Sequence, residues 1–264
     1  MKITKDIYLV GSGEIRLSHP NDCHVYLIDG GGELALIDAG VGLVPDMILD
    51  NIKQDGFNIN NIKYILLTHT HSDHANGADK IRKVTGCAIL ATKEEAWLAE
   101  NGDDLQLGLV AAKRDACYPQ DFHFDNYKVD QIIEDNEEIT VGKYKLRTIV
   151  VPGHRTGHAC YLISRDGYTI LFSGDTVFRK GMISLLNCPG SGLKEYRENI
   201  DKLSNLSVDA LLPGHQLWTL KDGQNHINLA IQRLKAMFPP LNTGVDNDLR
   251  PFMSEEAWRG EATR

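Results

Sequence analysis

The sequence predicts an α/β fold: a four-layer αββα sandwich of two mixed β-sheets that pack face to face, with helices on both outer faces. Strands and helices interleave along the 264 residues, and each half of the chain offers several strands, then a polar loop, then helices. Because every sheet must bury an apolar face, this repeated order favours two stacked sheets. Hydrophobic residues make up 42% of the chain, which is enough for one large core.

The first half begins with three short apolar runs that predict an antiparallel meander, at 6–10, 23–30 and 33–40. A helix is predicted over 44–56, with Pro45 near its start and Gly56 just past its end. Alternating strands and helices follow, with a strand at 64–68, a helix at 75–86, a strand at 88–92 and a helix at 93–100.

The second half repeats this order after an irregular segment. An insertion near 97–130 is predicted to hold a helix and an aromatic-rich loop. Strands are then expected within 141–153, 159–167, 168–174 and 209–214, and helices within 191–206 and 223–238. Residues 1–240 therefore form one predicted domain. Residues 241–264 form a predicted C-terminal tail, and whether it docks on the body stays open.

The charge balance excludes several classes of partner. The chain has 28 Lys and Arg against 36 Asp and Glu, a net charge of −8. An acidic chain without a basic run is a poor ligand for nucleic acid or for an anionic membrane surface. No signal peptide or membrane span is apparent, and the five cysteines show no CxxC spacing. We expect a cytoplasmic protein that acts on a small molecule, with a homodimer left open.

A dense group of metal-binding residue types follows the predicted strand 64–68. The stretch THTHSDHANGA places His69, His71, Asp73 and His74 within six positions. Two histidines spaced two apart reach the same side of an extended segment, and a turn then redirects the next two side chains. Ligands of α/β proteins usually gather beyond the carboxyl ends of strands. This stretch therefore predicts a metal-binding loop.

Four further residues of the same types directly follow apolar strands. They are Asp38 in LALID, His154 in TIVVPGH, Asp175 in TILFSGD and His215 in ALLPGH. Imidazole and carboxylate groups are the ligands that zinc and related divalent ions prefer. One histidine at a strand end is usually structural, but this recurrence predicts a shared metal site.

The motifs HTHSDH, PGHRTGH, SGDT and LLPGH resemble, in this order, those of the metallo-β-lactamase-fold superfamily of metallo-hydrolases. The resemblance spans residues 38–215 and implies the αββα sandwich. It implies a first metal held by His69, His71 and His154. It also implies a second metal held by Asp73, His74 and His215, with Asp175 bridging the two ions. Asp38 would support the metal loop without binding a metal itself.

Two divalent ions, with zinc expected and iron or manganese left open, would share a bridging hydroxide as the nucleophile. Asp73 and Asp175 are the candidate catalytic residues, Asp73 as a proton shuttle to the leaving group. The resemblance is to the branch of glyoxalase II, lactonases and thioesterases. We therefore expect cleavage of a small ester, thioester or lactone.

Departures from family patterns narrow these alternatives. His71 stands where the oxygen-reducing diiron branch typically has Glu, which favours a hydrolytic site. The combination of Asp73 and Asp175 is unusual for true β-lactamases. Phe178 replaces the tyrosine of quorum-signal lactonases, which makes a lactone less favoured. A phosphodiesterase, a mononuclear iron enzyme resembling persulfide dioxygenases and a regulatory protein that retains the metals stay open.

Four residues near the motifs are candidates for substrate contact. Arg179 and Lys180 follow the bridging aspartate and would attract an anionic group on the substrate. Phe178 and Trp218 would line an apolar part of the pocket.

Overall fold

The computed structural model describes residues 1–243. Within these residues the chain forms twelve strands and seven α-helices. The strands are β1 (Lys2–Thr4), β2 (Ile7–Gly11), β3 (Val25–Asp29), β4 (Leu34–Ile37), β5 (Ile62–Leu66), β6 (Ala88–Thr92), β7 (Gln131–Ile133), β8 (Glu138–Val141), β9 (Tyr144–Val150), β10 (Ala159–Arg165), β11 (Tyr168–Gly174) and β12 (Ala210–Pro213). The helices are α1 (Pro45–Gln54), α2 (Ser72–Ala75), α3 (Ala78–Thr85), α4 (Lys93–Asn101), α5 (Leu109–Arg114), α6 (Leu193–Asn199) and α7 (Gly223–Lys235).

The first seven strands form one mixed sheet in chain order, β1 to β7. Strands β1 to β4 are antiparallel, as a meander requires, and β4 to β7 are parallel. Helices α1, α3 and α4 connect or follow the later strands. Their apolar faces share a core with one face of this sheet, where Ile48 of α1 and Ile81 of α3 are buried.

The remaining strands form a second mixed sheet with the order β12-β11-β10-β9-β8. Strands β8 to β11 are antiparallel, and β12 lies parallel to β11 because α6 makes the crossover between them. Helices α6 and α7 cover the outer face of this sheet, where Tyr196 and Ile227 are fully buried.

A third apolar core lies between the two sheets and contains Tyr26 and Ile37 from the first sheet with Tyr161 and Phe172 from the second. The order of layers is therefore helices, sheet, sheet, helices. This confirms the predicted four-layer sandwich. Within residues 1–243, no helix combines the length and the apolar character that crossing a bilayer requires.

The predicted insertion contains the end of α4, α5 and a loop in which the rings of Tyr118 and Phe122 stack at 4.5 Å. The predicted tail lies largely outside the described residues, at 244–264. Its first residues, 241–243, pair with the segment that follows β11. There the backbone amide of Ile183 donates to Leu241, and Thr243 donates back to Ile183.

Candidate metal centre

The histidines and aspartates singled out in the sequence meet at one edge of the two sheets. In the first sheet, β4 and β5 are parallel, so their carboxyl ends bring Asp38 close to the segment 68–74. In the second sheet, β9, β11 and β12 run in the same direction, because β10 is antiparallel to both of its neighbours. The ends of these strands carry His154, Asp175 and His215.

The local conformation of the metal loop separates its ligands into two groups. The backbone of His71 is extended and directly precedes the single helical turn of α2. His69 and His71 therefore lie on the extended part of the loop, while Asp73 and His74 lie on the turn. The side chains of the extended part and those of the turn therefore enter two neighbouring groups of donor atoms.

His69, His71 and His154, the first triad, bring three ring nitrogens together. Nδ1 of His71 lies 3.0 Å from Nε2 of His69 and 2.9 Å from Nε2 of His154. The Nε2 atoms of His69 and His154 are 3.2 Å apart. One ion at the centre of these atoms would have three imidazole ligands, a common arrangement for catalytic zinc.

Asp73, His74 and His215, the second triad, form a similar group beside the first. Nε2 of His215 lies 2.9 Å from Oδ2 of Asp73 and 3.2 Å from Nε2 of His74. Oδ2 of Asp73 and Nε2 of His74 are 3.7 Å apart. All three donor atoms lie within 4.8 Å of one another, so one ion could contact all of them.

Asp175 lies between the two triads. Its Oδ1 is 3.4 Å from Nε2 of His74, and its Oδ2 is 3.7 Å from Nε2 of His154 and 3.8 Å from Nε2 of His215. Oδ1 is buried and accepts no hydrogen bond from any described residue. A buried carboxylate oxygen without a partner is costly unless a cation or another group satisfies it.

Asp38 determines which nitrogens of two histidines carry protons. Its carboxylate accepts hydrogen bonds from the hydroxyl and amide of Thr68 and from Nδ1 of His74. Because the Thr68 hydroxyl donates to Asp38, it must accept from Nδ1 of His69, which lies 3.0 Å away. The Nε2 atoms of His69 and His74 are then left as lone pairs that face the triads.

A backbone oxygen and a side-chain carboxylate orient two other histidines in a similar way. Nδ1 of His154 donates to the backbone oxygen of Ser184 at 2.8 Å, which leaves Nε2 as a lone pair. Nδ1 of His215 faces Oε1 of Glu14 at 3.6 Å, and a carboxylate beside a ring nitrogen favours a proton there.

The electrostatics of the cluster differ between the two triads: they favour neutral imidazoles in the first triad, whereas the carboxylates around His74 and His215 favour protonated rings in the second. Burial and the neighbouring imidazoles lower the pKa of His69, His71 and His154 well below the usual histidine value. Burial raises the pKa of Asp175. Burial also disfavours the charged form of His215, but Asp175 and the other nearby carboxylates raise the pKa of His215 well above its usual value.

The donor atoms of the two triads and of Asp175 fit divalent metal ions. The Nε2 lone pairs of His69 and His154 face each other at 3.2 Å and repel, so a positive charge between them would stabilise this arrangement. A mixed set of imidazoles and carboxylates with one unpartnered buried oxygen is the chemistry that divalent zinc, iron or manganese binds.

His158 supports the bridging position without joining a triad. Its Nε2 accepts a hydrogen bond from the amide of Asp175 at 3.0 Å, and its Nδ1 lies 2.9 Å from the hydroxyl of Thr176. Gly174 has a φ of 48°, and a Cβ there would lie 2.6 Å from Nε2 of His158. A larger residue at 174 would therefore displace the histidine that holds the Asp175 backbone.

A buried carboxylate on α4 joins two ligand-bearing loops, although it was not among the residues singled out from the sequence. Glu95 is fully buried and accepts hydrogen bonds from the amide and hydroxyl of Thr70, at 2.9 Å and 2.6 Å. It also accepts from the amide of Gly157 at 3.0 Å. In the sequence, Glu95 is one of several acidic residues in KEEAWLAE and resembles part of a solvated helix face.

Arg155 is another buried charged residue that was not singled out from the sequence. Only 2% of its surface is exposed, and its Nη1 donates to the backbone oxygens of Gln106 and Pro189, at 3.0 Å and 2.7 Å. The guanidinium therefore joins the loop after α4 to the loop that precedes α6. Cys188 of the latter loop places its sulfur 3.9 Å from Nε2 of His71.

The four candidate substrate residues occupy different surroundings. Phe178 is 1% exposed and belongs to the interior. Arg179 and Lys180 are exposed on a short 3-10 turn, which hydrogen-bonds to α7 through the backbone of Lys180. Trp218 is half-buried, with its ring edge-on to His24 at 5.6 Å. Their contact with a substrate stays a prediction.

Comparison with known proteins adds independent evidence. A family model described as the metallo-beta-lactamase superfamily matches residues 20–215. The hydroxyacylglutathione hydrolase of Maricaulis maris (strain MCS10) is 30% identical over 153 residues, which cover 57% of this chain and 45% of that protein. This chain thus spans less than half the length of that relative. The acyl-coenzyme A thioesterase MBLAC2 of Gallus gallus is 28% identical over 211 residues, covering 74% of this chain and 73% of that protein.

Solved structures show the same architecture. BJP-1, a subclass B3 metallo-beta-lactamase of Bradyrhizobium japonicum, matches with a TM-score of 0.68 at 25% identity, covering 88% of this chain and 89% of that one. The similarity is one of fold. It agrees with the sandwich that the sequence motifs implied.

Proposed function

Because the chain belongs to the metallo-beta-lactamase superfamily, we propose that it is a hydrolase that uses two divalent metal ions to cleave a small-molecule thioester, ester or lactone. The observation that carries the proposal is the pair of donor triads with Asp175 between them. Zinc is the proposed metal, since all the donors are imidazoles and carboxylates.

The first triad would hold one ion and the second triad the other, with Asp175 in contact with both. When bound, the ions would polarise the reacting carbonyl group and lower the pKa of a water molecule to about 7. The chain's own residues prepare this chemistry. Asp38 and the Ser184 carbonyl fix the orientation and tautomer of ring ligands, so little reorganisation is needed when substrate binds.

Asp73 is the proposed proton carrier. Its side chain is 22% exposed, whereas the other oxygen-bearing ligand, Asp175, is 9% exposed. Burial opposes ionisation of Asp73, but the adjacent His74 and His215 hold its pKa below the usual value. The carboxylate therefore starts ionised, so the proton that it would pass to the leaving group has to come from the attacking water molecule.

A thioester is the substrate class we place first. Two relatives from distant organisms carry names that describe thioester cleavage, one acting on hydroxyacylglutathione and one on acyl-coenzyme A. The proposal does not extend to a glutathione or coenzyme A group on the substrate, because this chain is only 30% and 28% identical to these two relatives. The common element is the acyl–sulfur bond, whose cleavage needs a polarised carbonyl and a water-derived nucleophile.

A substrate panel tests the proposal. Zinc-loaded protein would be assayed on a short acyl thioester, an oxygen ester, a lactone and a phosphodiester, beside Asp175→Ala and the control Asp50→Ala on the exposed surface of α1. We expect thioester turnover that falls by at least about 100-fold in Asp175→Ala and is unchanged in Asp50→Ala. Turnover confined to the phosphodiester, or equal in both variants, would contradict the proposal.

A further inference from the structure

The loop that carries His215 is held by two residues from the segment between β2 and β3. The backbone amide of Gln216 donates to both carboxylate oxygens of Glu14, at 2.9 Å and 2.8 Å. The backbone oxygen of Gln216 accepts from Nε2 of His24 at 2.7 Å. Both backbone polar groups of Gln216 are thus held from a part of the chain about 200 residues away.

This backbone is in a conformation that needs such support. Gln216 has a φ of 61°, in the left-handed region, which costs a residue with a Cβ about 1 kcal/mol or more. His24 is buried and fixed between Gln216 and the ring of Trp218. Glu14 is more exposed, with 40% of its side chain accessible, and it approaches the loop from the solvent side.

Glu14 also faces the ligand itself. Its Oε1 lies 3.6 Å from Nδ1 of His215, which is longer than a hydrogen bond but close enough for the charge to favour a proton on that nitrogen. In the neutral ring, a proton on Nδ1 leaves Nε2, the atom 2.9 Å from Oδ2 of Asp73, as the lone pair that a metal ion would need. Glu14 thus influences both the position and the tautomer of the His215 ring.

We propose that Glu14 is a positioning residue for the second metal ion: by holding the Gln216 amide and facing Nδ1 of His215, it keeps Nε2 of His215 aimed into the second triad. This inference rests on the proposed two-metal function. It is selective for one ion, because the hydrogen bonds that orient the first triad run to Thr68 and Ser184 instead.

The experiment titrates metal-free protein with Co²⁺ and monitors the binding of the first and the second ion through the visible absorption of bound Co²⁺. It compares the unmodified chain with Glu14→Ala, Glu14→Asp and the control Glu198→Gln, which removes an exposed carboxylate on α6. Glu14→Asp keeps the charge but shortens the side chain by one methylene. Thermal unfolding of each metal-free variant checks that the fold is intact.

We expect Glu14→Ala and Glu14→Asp to bind the first ion as the unmodified chain does and the second ion 10- to 100-fold more weakly. Glu198→Gln should leave both affinities unchanged. If both Glu14 variants retain the second affinity, Glu14 does not position His215 and the inference falls while the proposed function stands. If the unmodified chain binds fewer than two ions, the proposed function falls and this inference falls with it.

Discussion

Single side chains decide the protonation state of the metal centre. The carboxylate of Asp38 accepts three hydrogen bonds, from the Thr68 amide, the Thr68 hydroxyl and the His74 ring, and through Thr68 it also fixes His69. One buried residue outside both triads therefore sets the lone pairs of two candidate ligands in different triads. The donor and the acceptor in each of these hydrogen bonds follow from chemistry, because an ionised carboxylate can only accept.

The candidate ligands and the supporting Asp38 could be singled out at this scale, whereas the other supporting residues could not. Histidine and aspartate after an apolar strand are recognisable because few other residue types bind metals. The other supporting residues form hydrogen bonds with backbone groups of segments far away in the sequence; they are Glu95, Arg155 and Glu14. No local pattern distinguishes such residues from ordinary surface charges until the fold brings their partners together.

A buried aspartate away from the ligands leads to a pH-dependence prediction. Asp22 is 4% exposed, and its Oδ1 accepts from the Val41 amide at 2.7 Å. Burial raises the pKa of Asp22 from 3.8 to about 6. The folded state therefore favours the protonated form. The resulting stability is fully present below about pH 4 and is lost as the pH rises through about 6.

Asp22→Asn, which cannot ionise, should gain stability relative to the unmodified chain between pH 4 and pH 7. The expected relative gain in the free energy of unfolding is about 3 kcal/mol, measured by urea denaturation at each pH. All other titrating groups are shared by the two proteins and cancel in the difference. A difference between the two proteins that does not change with pH would show that Asp22 is not destabilised when ionised.

At the scale of elements, long periodic segments were predicted well and short or interrupted ones were not. Helix α1 begins at Pro45 and ends before Gly56, as its signals indicate. Strand β7 has three residues and was missed, since so short a run carries no period. The helix predicted over 191–206 ends at Asn199 and continues only as a 3-10 turn, Ile200–Leu203, in which Ile200 and Leu203 are buried.

Helix α4 is expected to stabilise the metal loop through Glu95. Glu95→Ala would leave the buried amides of Thr70 and Gly157 without an acceptor and Arg155 without its nearest carboxylate. We expect a loss of about 3–5 kcal/mol in the free energy of unfolding, measured by chemical denaturation. The neighbouring Glu94→Ala changes an exposed residue of the same helix and should cost less than about 0.5 kcal/mol. Equal losses in the two variants would refute the role of Glu95.

Arg155 is expected to hold two loops beside the centre in one arrangement. Arg155→Lys keeps the charge but lacks the planar group that reaches two carbonyls. Amide hydrogen exchange should become faster in the loops 103–108 and 187–190, while the exposed control Arg114→Lys leaves exchange unchanged. Unchanged protection of both loops in Arg155→Lys would mean that other contacts fix them.

At the scale of the whole molecule, each triad joins the two sheets. The first triad combines His69 and His71, which follow a strand of the first sheet, with His154 from the second. The second triad combines Asp73 and His74 with His215 in the same way. Metal ions bound there would connect the two halves of the sandwich, and unfolding would separate their ligands.

Removal of metal should therefore destabilise the whole fold. An ion present at about 1,000 times its dissociation constant adds about 4 kcal/mol to the free energy of unfolding. For a chain of this size, chelation is expected to lower Tm on the order of 10 °C, and added zinc should restore it. Differential scanning calorimetry with and without chelator measures this. A Tm that does not respond to chelation would show that the triads do not bind metal in the folded state.

The most direct test of the central claim is the number and identity of metal ions in the purified chain, measured by elemental analysis beside Asp175→Ala. The two triads and the bridging aspartate predict about two divalent ions per chain, with zinc predominant. Asp175→Ala should retain fewer ions because the carboxylate shared by both positions is absent. A single iron per chain, with no hydrolysis of any ester or thioester, would contradict the account and indicate a mononuclear oxygen-using enzyme.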